Sequence, residues 1–569
     1  MKKLTIAALV LIFLGCSERD KKPDFDRKDW PVYLGGKNSN QYSPLSQITP
    51  ENVHLLGPAW EYESEGGMPG ERTQIQCNPI IIDGVLYGTS PTLKVFALNA
   101  ATGERFWQFD TTKEKEYARN VNRGVVYWSD GDQNRILFSA GSFLYSLDAE
   151  TGDLDTNFGD SGKVSLKLGL GENVGDKYVV ATSPGIIYKD IIIIGSRVSE
   201  NVDAAPGNIR AFNVKTGKLE WVFRTIPHPG EFGYETWPED GWKRIGGANS
   251  WAGMSLDEER GMVFIPTGSA AFDFWGGNRK GENLFANCLL ALDAATGERI
   301  WHYQIVHHDI WDRDLPAPPN LVTVNHDGKS TDAVAQITKS GFVFVFDRET
   351  GEPLFPIEER PVPKSDLDGE ETWPTQPFPV KPPPFSPQSL TMENITDISP
   401  ESRDYAADMM QNVRTGEQFI PPSTDGTVIF PGFDGGGEWG GAAFDEESGI
   451  LYVNSSILPW ILTMIEVEPG GSTRVHPGKK SYQVNCAMCH GQNLEGKPAA
   501  NYPALTGLEQ RMNRAEIMEL LNTGKGFMPS YQHLKDDEKR LLISYLLEEQ
   551  ETDAHLQGME SNKGEVPYT

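Results

Sequence analysis

The stretch ALNAATGERFW, residues 97–107, recurs along the chain and decides the fold class. Full copies are AFNVKTGKLEW at residues 211–221 and ALDAATGERIW at residues 291–301, and shortened copies are SLDAETG at 146–152 and FDRETG at 346–351. Asp or Asn followed by Thr-Gly is typical of a hairpin turn in which glycine takes a positive φ. The terminal tryptophan is a large apolar group with one N–H, which suits it to docking one sheet on the next.

Sheet units that repeat along a chain, each unable to bury its face alone, are typical of a β-propeller. The alternative is a two-sheet sandwich with coincidental Thr-Gly turns. Three full copies of so long a phrase favour the propeller. The 58 glycines and 39 prolines agree, because they indicate turn-rich β structure rather than a helical bundle.

Composition excludes some classes of partner. The formal net charge of −29 argues against nucleic acid and against anionic lipid surfaces. The chain of 569 residues is long enough for one large domain and a small one. Two of the five cysteines, Cys77 and Cys288, lie in apolar strand-like runs, so we do not expect a disulfide scaffold.

The pentapeptide CAMCH, residues 486–490, has the C-x-x-C-H pattern of covalent haem attachment. We expect Cys486 and Cys489 to add to the two vinyl groups of a haem, with His490 as an axial ligand of the iron. A redox dithiol or half of a zinc site is the alternative. Neither a second cysteine pair for zinc nor a βαβ pattern for a thioredoxin accompanies the motif.

Met528, in the Gly/Pro-punctuated loop GKGFMP, is the expected second axial ligand. Met and His ligation raises the potential of the iron and suits electron transfer rather than oxygen chemistry. Three other methionines occupy helical positions and are more simply interpreted as core: Met488, Met512 and Met518.

The first residues are typical of a bacterial lipoprotein signal. Lys2 and Lys3 precede an apolar run at 4–14 that is too short to span a bilayer, and Cys16 follows directly. Cys16 is the expected lipidated residue after cleavage. The alternative is an ordinary signal peptide in which Cys16 is incidental.

Six further stretches carry a resemblance to a known family. They are NRGVVYW (122–128), NSWA (249–252), WGGN (275–278), VHHDIWDRDLP (306–316), TKSG (338–341) and EWGG (438–441). Together with the Thr-Gly-Trp repeat, and in this order, they resemble the pyrroloquinoline-quinone (PQQ) dehydrogenases, close to the membrane-bound quinoprotein glucose dehydrogenase branch. The resemblance covers about residues 29–457. With the cytochrome segment, it implies a quinohaemoprotein.

The resemblance implies that Asp312 is the catalytic base. Oxidising an alcohol requires removal of the hydroxyl proton while hydride leaves the carbon, and a carboxylate is the natural base. Without the flanking motif, Asp309, Asp312 and Asp314 would be interpreted as a solvated loop. In lanthanide-using relatives an aspartate at the place of Asp314 adds a metal oxygen. It also occurs in sugar-oxidising relatives, so it does not decide the metal.

Polarising the quinone requires a hard cation with oxygen ligands, Ca²⁺ most simply, or a lanthanide. The resemblance implies Glu200 as the best ligand and Asn201 as the next, with Ser269 near the position of another ligand. Asp312 and Asp314 complete the expected metal set.

PQQ is flat and carries three carboxylates, so it needs an aromatic floor and cationic clamps. The resemblance implies Trp251 as the floor, Arg123 as a clamp, and Lys339 as the cation that hydrogen-bonds the quinone oxygen. Glu438 stands where many relatives carry an amide that contacts the cofactor. Two departures concern the upper face of the cofactor site: Arg119 replaces the histidine of sugar-oxidising relatives, and the adjacent cysteines of methanol-oxidising relatives are absent.

The rest of the chain gives more local predictions. The Pro-rich segment 353–387 could be a disordered linker, but the resemblance implies an ordered covering loop. Beyond it we expect helices at 514–521 and 536–549. Tyr545 is expected to pack on the haem, and Pro503 to support the His490 side of it.

The predicted fold class is all-β, an eight-bladed-type PQQ β-propeller that is incomplete here, with a small all-α c-type cytochrome domain. The repeats account for about six blades. Our hypothesis is a C-terminally incomplete version of a longer protein, whose open propeller would expose strand edges. The predicted segments are a signal peptide (1–15), a tether (16–28), the propeller (29–470), the cytochrome domain (471–556) and the start of a return to the propeller (557–569).

Two functional hypotheses follow. The first is a quinohaemoprotein dehydrogenase that oxidises an alcohol or aldose with PQQ and passes electrons singly to haem c. The second is a non-catalytic redox or binding propeller with an electron-carrying cytochrome. The expected partners are a small-molecule substrate, a downstream acceptor (a cytochrome or a quinone) and, through a lipid anchor, a membrane at the periplasmic or cell-envelope face, with no nucleic acid.

Overall fold

The computed structural model describes residues 29–65, 74–114, 120–466, 477–491, 493–497, 502–525, 528, 530–531, 534, 536–547 and 567–568. The main elements among these residues are antiparallel sheets that follow one another along the chain. The predicted signal and tether, including Cys16, lie outside the described residues, as does Arg119.

Four sheets have four strands each, paired in chain order. The first contains β1 Ile80–Ile82, β2 Val85–Thr89, β3 Val95–Asn99 and β4 Arg105–Phe109. The second contains β5 Val126–Ser129, β6 Asn134–Ala140, β7 Phe143–Asp148 and β8 Lys163–Ser165. The third contains β10 Ile186–Tyr188, β11 Ile191–Ile194, β13 Ile209–Asn213 and β14 Leu219–Phe223. The fourth contains β15 Ser255–Asp257, β16 Met262–Pro266, β17 Cys288–Asp293 and β18 Arg299–Gln304.

The remaining sheets are smaller. A three-stranded sheet contains β19 Asn320–His326, β20 Lys329–Ile337 and β21 Val343–Asp347. The two-stranded pairs are β9 Val179–Val180 with β12 Arg197–Val198, β22 Ile357–Pro361 with β23 Thr375–Pro379, β24 Thr427–Ile429 with β27 Trp460–Leu462, and β25 Ala442–Asp445 with β26 Ile450–Val453. The pair β22–β23 makes the predicted covering segment an ordered hairpin.

The first strands of successive sheets are neighbours in space: β5 contacts β10, β10 contacts β15, β15 contacts β19, and β19 contacts β25. An N-terminal segment runs across three of them. The carbonyls of Lys37, Asn38 and Asn40 accept hydrogen bonds from Leu256 N (2.8 Å), Leu321 N (3.0 Å) and Phe444 N (2.8 Å). These contacts fix the rotation of each sheet relative to the next, which is the arrangement of propeller blades.

The Thr-Gly-Trp repeat docks each sheet on the following one. The indole Nε1 atoms donate to backbone carbonyls in the next Thr-Gly turn: Trp107 to Ala149 O (3.0 Å), Trp221 to Ala294 O (3.3 Å) and Trp301 to Arg348 O (3.1 Å). Each indole ring also covers the glycine of that turn. The fold class predicted from the repeat is therefore confirmed.

The turn itself forms because the Asp or Asn side chain accepts hydrogen bonds from backbone N–H groups of the turn. Asp293 Oδ1 accepts from Ala295 N (2.9 Å) and Thr296 N (2.9 Å). Gly297 then takes φ +75°, which L side chains rarely adopt. A Cβ at Gly297 would lie only 2.5 Å from the Trp221 ring.

Gly297→Ala should lower the free energy of unfolding by about 2–4 kcal/mol, because the methyl group both strains the backbone and displaces the docked indole. Gly328→Ala is the matched control: Gly328 has φ +77° but nothing within 4 Å of a Cβ. That variant should lose only about 1 kcal/mol. Denaturant unfolding monitored by tryptophan fluorescence measures both, and equal losses would contradict the docking role of Gly297.

Helices are few in the sheet region and dominate the C-terminal region. Within the described ranges, the α-helices are α1 Gly241–Arg244, α2 Pro400–Met410, α3 Pro477–Asn485, α4 Ala487–His490, α5 Arg514–Thr523 and α6 Asp536–Leu546. Helices α3, α5 and α6 pack around a separate apolar core that includes Tyr482, Leu521 and Leu542. Within the described part of the chain, the structure contains no helix with the length and apolarity needed to cross a membrane.

The last described residues touch the sheet region again. Tyr568 forms an antiparallel bridge with Glu466, and its hydroxyl accepts a hydrogen bond from Asp368 N at 2.9 Å. Tyr568 also packs with Trp275, Leu367 and Met464.

Candidate functional site

A cavity of about 310 Å³ gathers most of the predicted site residues. The predicted residues that line it are Arg123, Glu200, Trp251, Ser269, Asp312, Asp314, Lys339 and Glu438. Polar and aromatic residues that sequence reasoning did not single out also line it: Arg197, Asn249, Asp273, Phe433, Asp434 and Trp439. Asn201 is not part of the lining; its side chain is exposed.

Asp312 and Lys339 form an ion pair at the centre of this set. Lys339 Nζ lies 2.9 Å from Asp312 Oδ1 and 3.0 Å from Oδ2, and 3.8 Å from Asp314 Oδ2. Asp312 has φ +55°, a conformation that costs energy for a residue with a Cβ and that is concentrated at functional sites.

Burial sets the proton affinity of this pair. It raises the pKa of the Asp312 carboxyl well above its usual range, with Lys339 acting against the rise and Asp314 adding to it. Burial opposes the charged form of Lys339, but the carboxylates of Asp312 and Asp314 outweigh it and raise its pKa. Asp312 is therefore a stronger base than a surface aspartate, next to a lysine that stays cationic.

Asp309 holds the loop that carries Asp312. Its Oδ1 accepts from Trp311 N (2.8 Å), and its Oδ2 accepts from Arg313 N (2.6 Å) and from Asn287 Nδ2 (2.8 Å). Arg313 Nη1 in turn donates to Pro431 O at 2.6 Å. Asp309 is thus a buried positioning group, and the loop around Asp312 is fixed from both sides.

Asp314 is fully engaged by neighbouring donors. Its Oδ2 accepts from Trp251 Nε1 at 2.8 Å, and its Oδ1 accepts from Ser269 N at 2.6 Å. The Ser269 hydroxyl lies 3.0 Å from Asp314 Oδ1 and 2.5 Å from Asp309 Oδ2, and its single proton serves one of them. A Cβ at Gly268 would lie 2.4 Å from Asp314 Oδ1, so only glycine leaves room for this carboxylate.

Arg123 and two tryptophans form the cationic and aromatic wall. The guanidinium centre lies 5.3 Å from the Trp251 ring centroid and 4.7 Å from that of Trp439. Arg123 Nη1 donates to Thr182 Oγ1 at 2.9 Å, while its buried Nε has no hydrogen-bond partner among the residues that the structure describes. Burial lowers the pKa of Arg123 to about 10, so it remains charged at neutral pH.

Glu438 is a partly buried acid beside this wall. Its Oε2 accepts a hydrogen bond from Trp439 N at 3.2 Å. Burial raises its pKa to about 7, although Lys339 lowers it in part.

Glu438→Gln should stabilise the cofactor-free protein at alkaline pH. Because its pKa rises from 4.5 to about 7 on folding, the folded state binds the proton more tightly, and stability is lost as the pH rises from 4.5 to 7. The variant lacks this loss, so it should exceed the wild type at pH 8 by about 1–3 kcal/mol and match it below pH 4.5. Unfolding curves at several pH values measure the difference. The exposed Glu393→Gln serves as control, and a pH-independent difference would contradict the prediction.

The predicted metal residues are only partly brought together. Glu200 lies at the cavity wall, but its carboxylate is exposed and pairs with Arg197 Nη2 at 3.2 Å. In the described ranges, no three Asp, Glu, His or Cys side chains form a cluster able to hold a metal ion by themselves. A metal here would therefore need other oxygens besides these carboxylates.

The covering segment is tied to the loop of Asp312 by a buried pair. His308 Nε2 lies 2.9 Å from Glu370 Oε1, and His308 Nδ1 lies 2.8 Å from Gly281 O. Glu370 also accepts from Gly276 N. The segment that carries Glu370 is thus anchored to the residue four positions before Asp312.

The C-terminal helices enclose a second, mostly apolar cavity of about 150 Å³. Of the residues predicted for the haem site, Cys486, His490 and Met528 line it, whereas Cys489 does not. His490 Nδ1 lies 2.8 Å from Pro503 O, which leaves Nε2 free to meet an iron. Met512 lines the same cavity, so it remains an alternative ligand.

One aromatic residue differs from the prediction. Tyr545 does not line the cavity; its ring packs on Tyr482 at 5.5 Å between centroids. Tyr531 lines the cavity instead, and its hydroxyl donates to Asn485 O at 2.8 Å. Helix α6 therefore presents Tyr545 to helix α3 rather than to the cavity.

The fold and the two sites define a class of protein, a β-propeller with a cofactor-type cavity joined to a small c-type cytochrome unit. A family model described as "PQQ: Glucose/ethanol/alcohol dehydrogenase, beta-propeller domain" matches residues 30–509. A second, described as "Cytochrome C oxidase, cbb3-type, subunit III", matches residues 473–546. The chain belongs to the PQQ-dependent glucose/ethanol/alcohol dehydrogenase β-propeller family.

Individual proteins agree with this assignment. The chain is 33% identical over 466 residues to the quinoprotein glucose dehydrogenase of Escherichia coli (strain K12), covering 78% of this chain and 58% of that protein. It is 32% identical over 486 residues to the quinate/shikimate dehydrogenase (quinone) of Acinetobacter baylyi, covering 79% and 60%. The chain thus spans about three fifths of the length of these relatives.

A solved structure shows the same fold. The quinohemoprotein alcohol dehydrogenase ADHIIG of Pseudomonas putida HK5 superposes with a TM-score of 0.58 at 25% identity, covering 78% of this chain and 59% of that one. The predicted family, PQQ and haem c are confirmed by these matches, whereas Ca²⁺ or a lanthanide stays a prediction.

The cavity residues fit PQQ on structural grounds. Arg123 offers a buried, unpartnered Nε to a carboxylate, Trp251 offers an aromatic face, and Lys339 offers a cation at the cavity wall. Three of the residues that sequence reasoning missed lay inside or beside stretches it had quoted: Asn249 two residues before Trp251, Asp273 two before Trp275, and Trp439 directly after Glu438.

Proposed function

We propose that this chain is a quinohaemoprotein dehydrogenase that oxidises an alcohol or aldose with PQQ as oxidant and haem c as the electron outlet. The observation that carries the proposal is the buried Asp312–Lys339 pair in the same cavity as Arg123 and Trp251. The haem-type cavity around His490 in the same chain supports the electron outlet. The acceptor beyond the haem would be a cytochrome or a quinone.

Each side chain of the cavity has a definite task in this proposal. When bound, PQQ supplies a two-electron acceptor, the metal polarises it, and haem carries single electrons. Asp312 accepts the proton of the substrate hydroxyl on a carboxylate oxygen. Lys339 favours the ionised form of Asp312 and offers an N–H to an oxygen of the cofactor. Arg123 holds a cofactor carboxylate, and Asp314 fixes the Trp251 ring through Nε1.

Other assignments in this proposal follow the predicted residues. The metal would be bound by Glu200, Ser269 and Asp312. Asp314, also predicted as a ligand, already accepts hydrogen bonds from Trp251 Nε1 and Ser269 N, and the exposed Asn201, the other predicted ligand, does not line the cavity. Haem would be attached through Cys486 and Cys489 and ligated by His490 and Met528. We propose that the propeller comprises residues 29–470 and the cytochrome domain residues 471–556, and that residues 557–569 begin a return to the propeller. Signal 1–15 and tether 16–28 would place the protein, lipidated at Cys16, at the periplasmic or cell-envelope face.

The proposal is tested by substrate-dependent reduction of the protein's own haem. Purified protein is loaded with PQQ and Ca²⁺ and given a panel of primary alcohols, polyols, aldoses and cyclic hydroxy acids, with the haem absorption band as readout. At least one substrate class should reduce the haem, and omission of PQQ should abolish the reduction. Haem that stays oxidised across the panel would favour the non-catalytic hypothesis.

A further inference from the structure

Asp273 is an acidic residue of the cavity that the proposed mechanism does not use. It is only 6% exposed, and its carboxyl group faces the cavity that holds Asp312 and Asp314. Among the residues that the structure describes, its carboxyl group makes no hydrogen bond and no ion pair, and the buried Arg279 guanidinium acts on it only at longer range. A buried carboxylate without a partner is costly, so a site that retains one provides it for a ligand.

Among the described residues, no cation forms an ion pair with Asp273. Lys339 is engaged by Asp312 at 2.9 Å, and Arg197 pairs with Glu200 at 3.2 Å. Arg123 is directed to Thr182 and to the two tryptophan rings. Four acidic groups act on Asp273, namely Asp312, Asp314, Glu200 and Asp309, and the buried guanidinium of Arg279 opposes them. Burial first, and then these carboxylates, raise the pKa of Asp273 well above its usual range.

Asp314 differs from Asp273 in this respect. Its two oxygens accept from Trp251 Nε1, Ser269 N and, in one hydroxyl orientation, Ser269 Oγ. A metal that took Asp314 as a ligand would have to compete with these donors for its lone pairs. Asp273 has no such competition.

The backbone holds Asp273 in a fixed place relative to Asp312. Arg279 Nη2 donates both to Phe272 O at 3.0 Å and to Asp309 O at 2.5 Å, so it joins the two loops that carry these aspartates. Arg279 is itself fully buried, and its Nη1 is held by Asn283 Oδ1 at 2.9 Å. The carboxyl group of Asp273 therefore lies on a segment whose backbone is fixed by hydrogen bonds.

We propose that Asp273 is a ligand of the hard, oxygen-seeking cation that this cavity holds, and that Asp314 is a positioning residue for Trp251 and Ser269. The inference rests on the proposed function for the presence of the cation. A divalent or trivalent ion supplies the positive charge that no ion pair provides to Asp273 among the described residues. Carboxylate oxygens are the ligands such ions prefer, and a mixed set with other oxygens agrees with the absence of a three-carboxylate cluster among the described residues.

The test is metal affinity, measured without turnover. Protein loaded with PQQ and freed of metal by a chelator is titrated with Ca²⁺, and separately with a trivalent lanthanide, by calorimetry. Asp273→Asn should weaken binding about 100-fold, as the loss of a direct ligand, whereas Asp314→Asn should weaken it less than about 10-fold. Asp273→Glu, which keeps the carboxylate, should retain most of the affinity.

Asp434→Asn is the matched control for charge. Asp434 lines the same cavity but bonds Trp460 Nε1 at 3.1 Å. If Asp434→Asn and Asp273→Asn weaken binding equally, the effect is general electrostatics and the inference is wrong. It is also wrong if the wild type binds no metal, or if Asp314→Asn causes the larger loss.

Thermal unfolding gives a second readout and excludes misfolding. Without metal, Asp273→Asn should unfold at a higher temperature than the wild type, because it removes an uncompensated buried acid. Added Ca²⁺ should raise the unfolding temperature of the wild type and much less that of the variant. A lower unfolding temperature of the metal-free variant would overturn the inference. Normal metal binding through Asp273 with no reducible haem would instead overturn only the proposed function.

Discussion

Replacing Asp312 by asparagine should slow substrate-driven haem reduction by a factor of about 100 to 10,000, because the variant keeps the size of the side chain but loses the base. Lys339 would then lose its bidentate partner and keep only Asp314 Oδ2 at 3.8 Å. The rate of haem reduction after mixing PQQ-loaded protein with a saturating substrate measures the loss.

Two observations separate a catalytic loss from a structural one. Asp327→Asn, a change of the same kind at an exposed turn whose side chain is 92% exposed, should leave the rate unchanged. The Asp312→Asn protein should still be reduced fully by an added chemical reductant. Retention of the wild-type rate in Asp312→Asn would remove Asp312 from the role of base.

Replacing Cys486 and Cys489 together by serine should abolish covalent haem completely, since both thioether bonds are lost. Any haem that remains would be held only by packing in the mostly apolar cavity and by the His490 and Met528 ligands, so acid and organic solvent should remove it. Haem content after denaturation in acid and organic solvent measures covalent attachment. The control is Cys77→Ser, a free cysteine in the sheet region.

Absorption spectra of methionine variants purified in the same way identify the second axial ligand of the iron. Met528→Ala should remove the weak red absorption band of methionine-ligated iron, and Met512→Ala should preserve it. The reverse result would assign the ligand to Met512, which lines the same cavity. Covalent haem in the double cysteine variant would contradict the assignment of the CAMCH motif itself.

The propeller was predictable because its determinants are local. The Asp293 side chain forms its turn with residues two and three positions away, and Trp301 docks on the next such turn. Short-range chemistry of this kind repeats visibly in the sequence. The same holds for Cys486, Cys489 and His490, whose roles follow from spacing within five residues.

Residues of the cavity could be predicted only where they belong to a stretch that resembles the family. Arg123, Trp251, Asp312 and Lys339 are far apart in the chain and meet in one wall, as the resemblance implied. Asp273 was singled out because its carboxyl group has no hydrogen bond or ion pair among the described residues. That property depends on segments that are distant in the chain. Sequence patterns contain no signal for such an unpaired group.

Two further details depended on three-dimensional packing. Asn201 follows Glu200 directly, yet its side chain is exposed and does not line the cavity. Tyr545 lies on the predicted amphipathic helix, but the packing of α6 on α3 brings it to Tyr482. A helical pattern identifies the buried face of a helix and not which neighbour that face meets.

The central claim is that electrons pass from substrate, through the cavity of Asp312, to the haem of the same chain. Anaerobic single-turnover mixing of substrate with protein that carries PQQ, Ca²⁺ and oxidised haem tests it most directly. The account predicts reduction of the haem at a rate independent of protein concentration, with loss of the reaction in Asp312→Asn. Substrate oxidation that reduces an added dye while the haem stays oxidised, or a rate that rises in proportion to protein concentration, would contradict it.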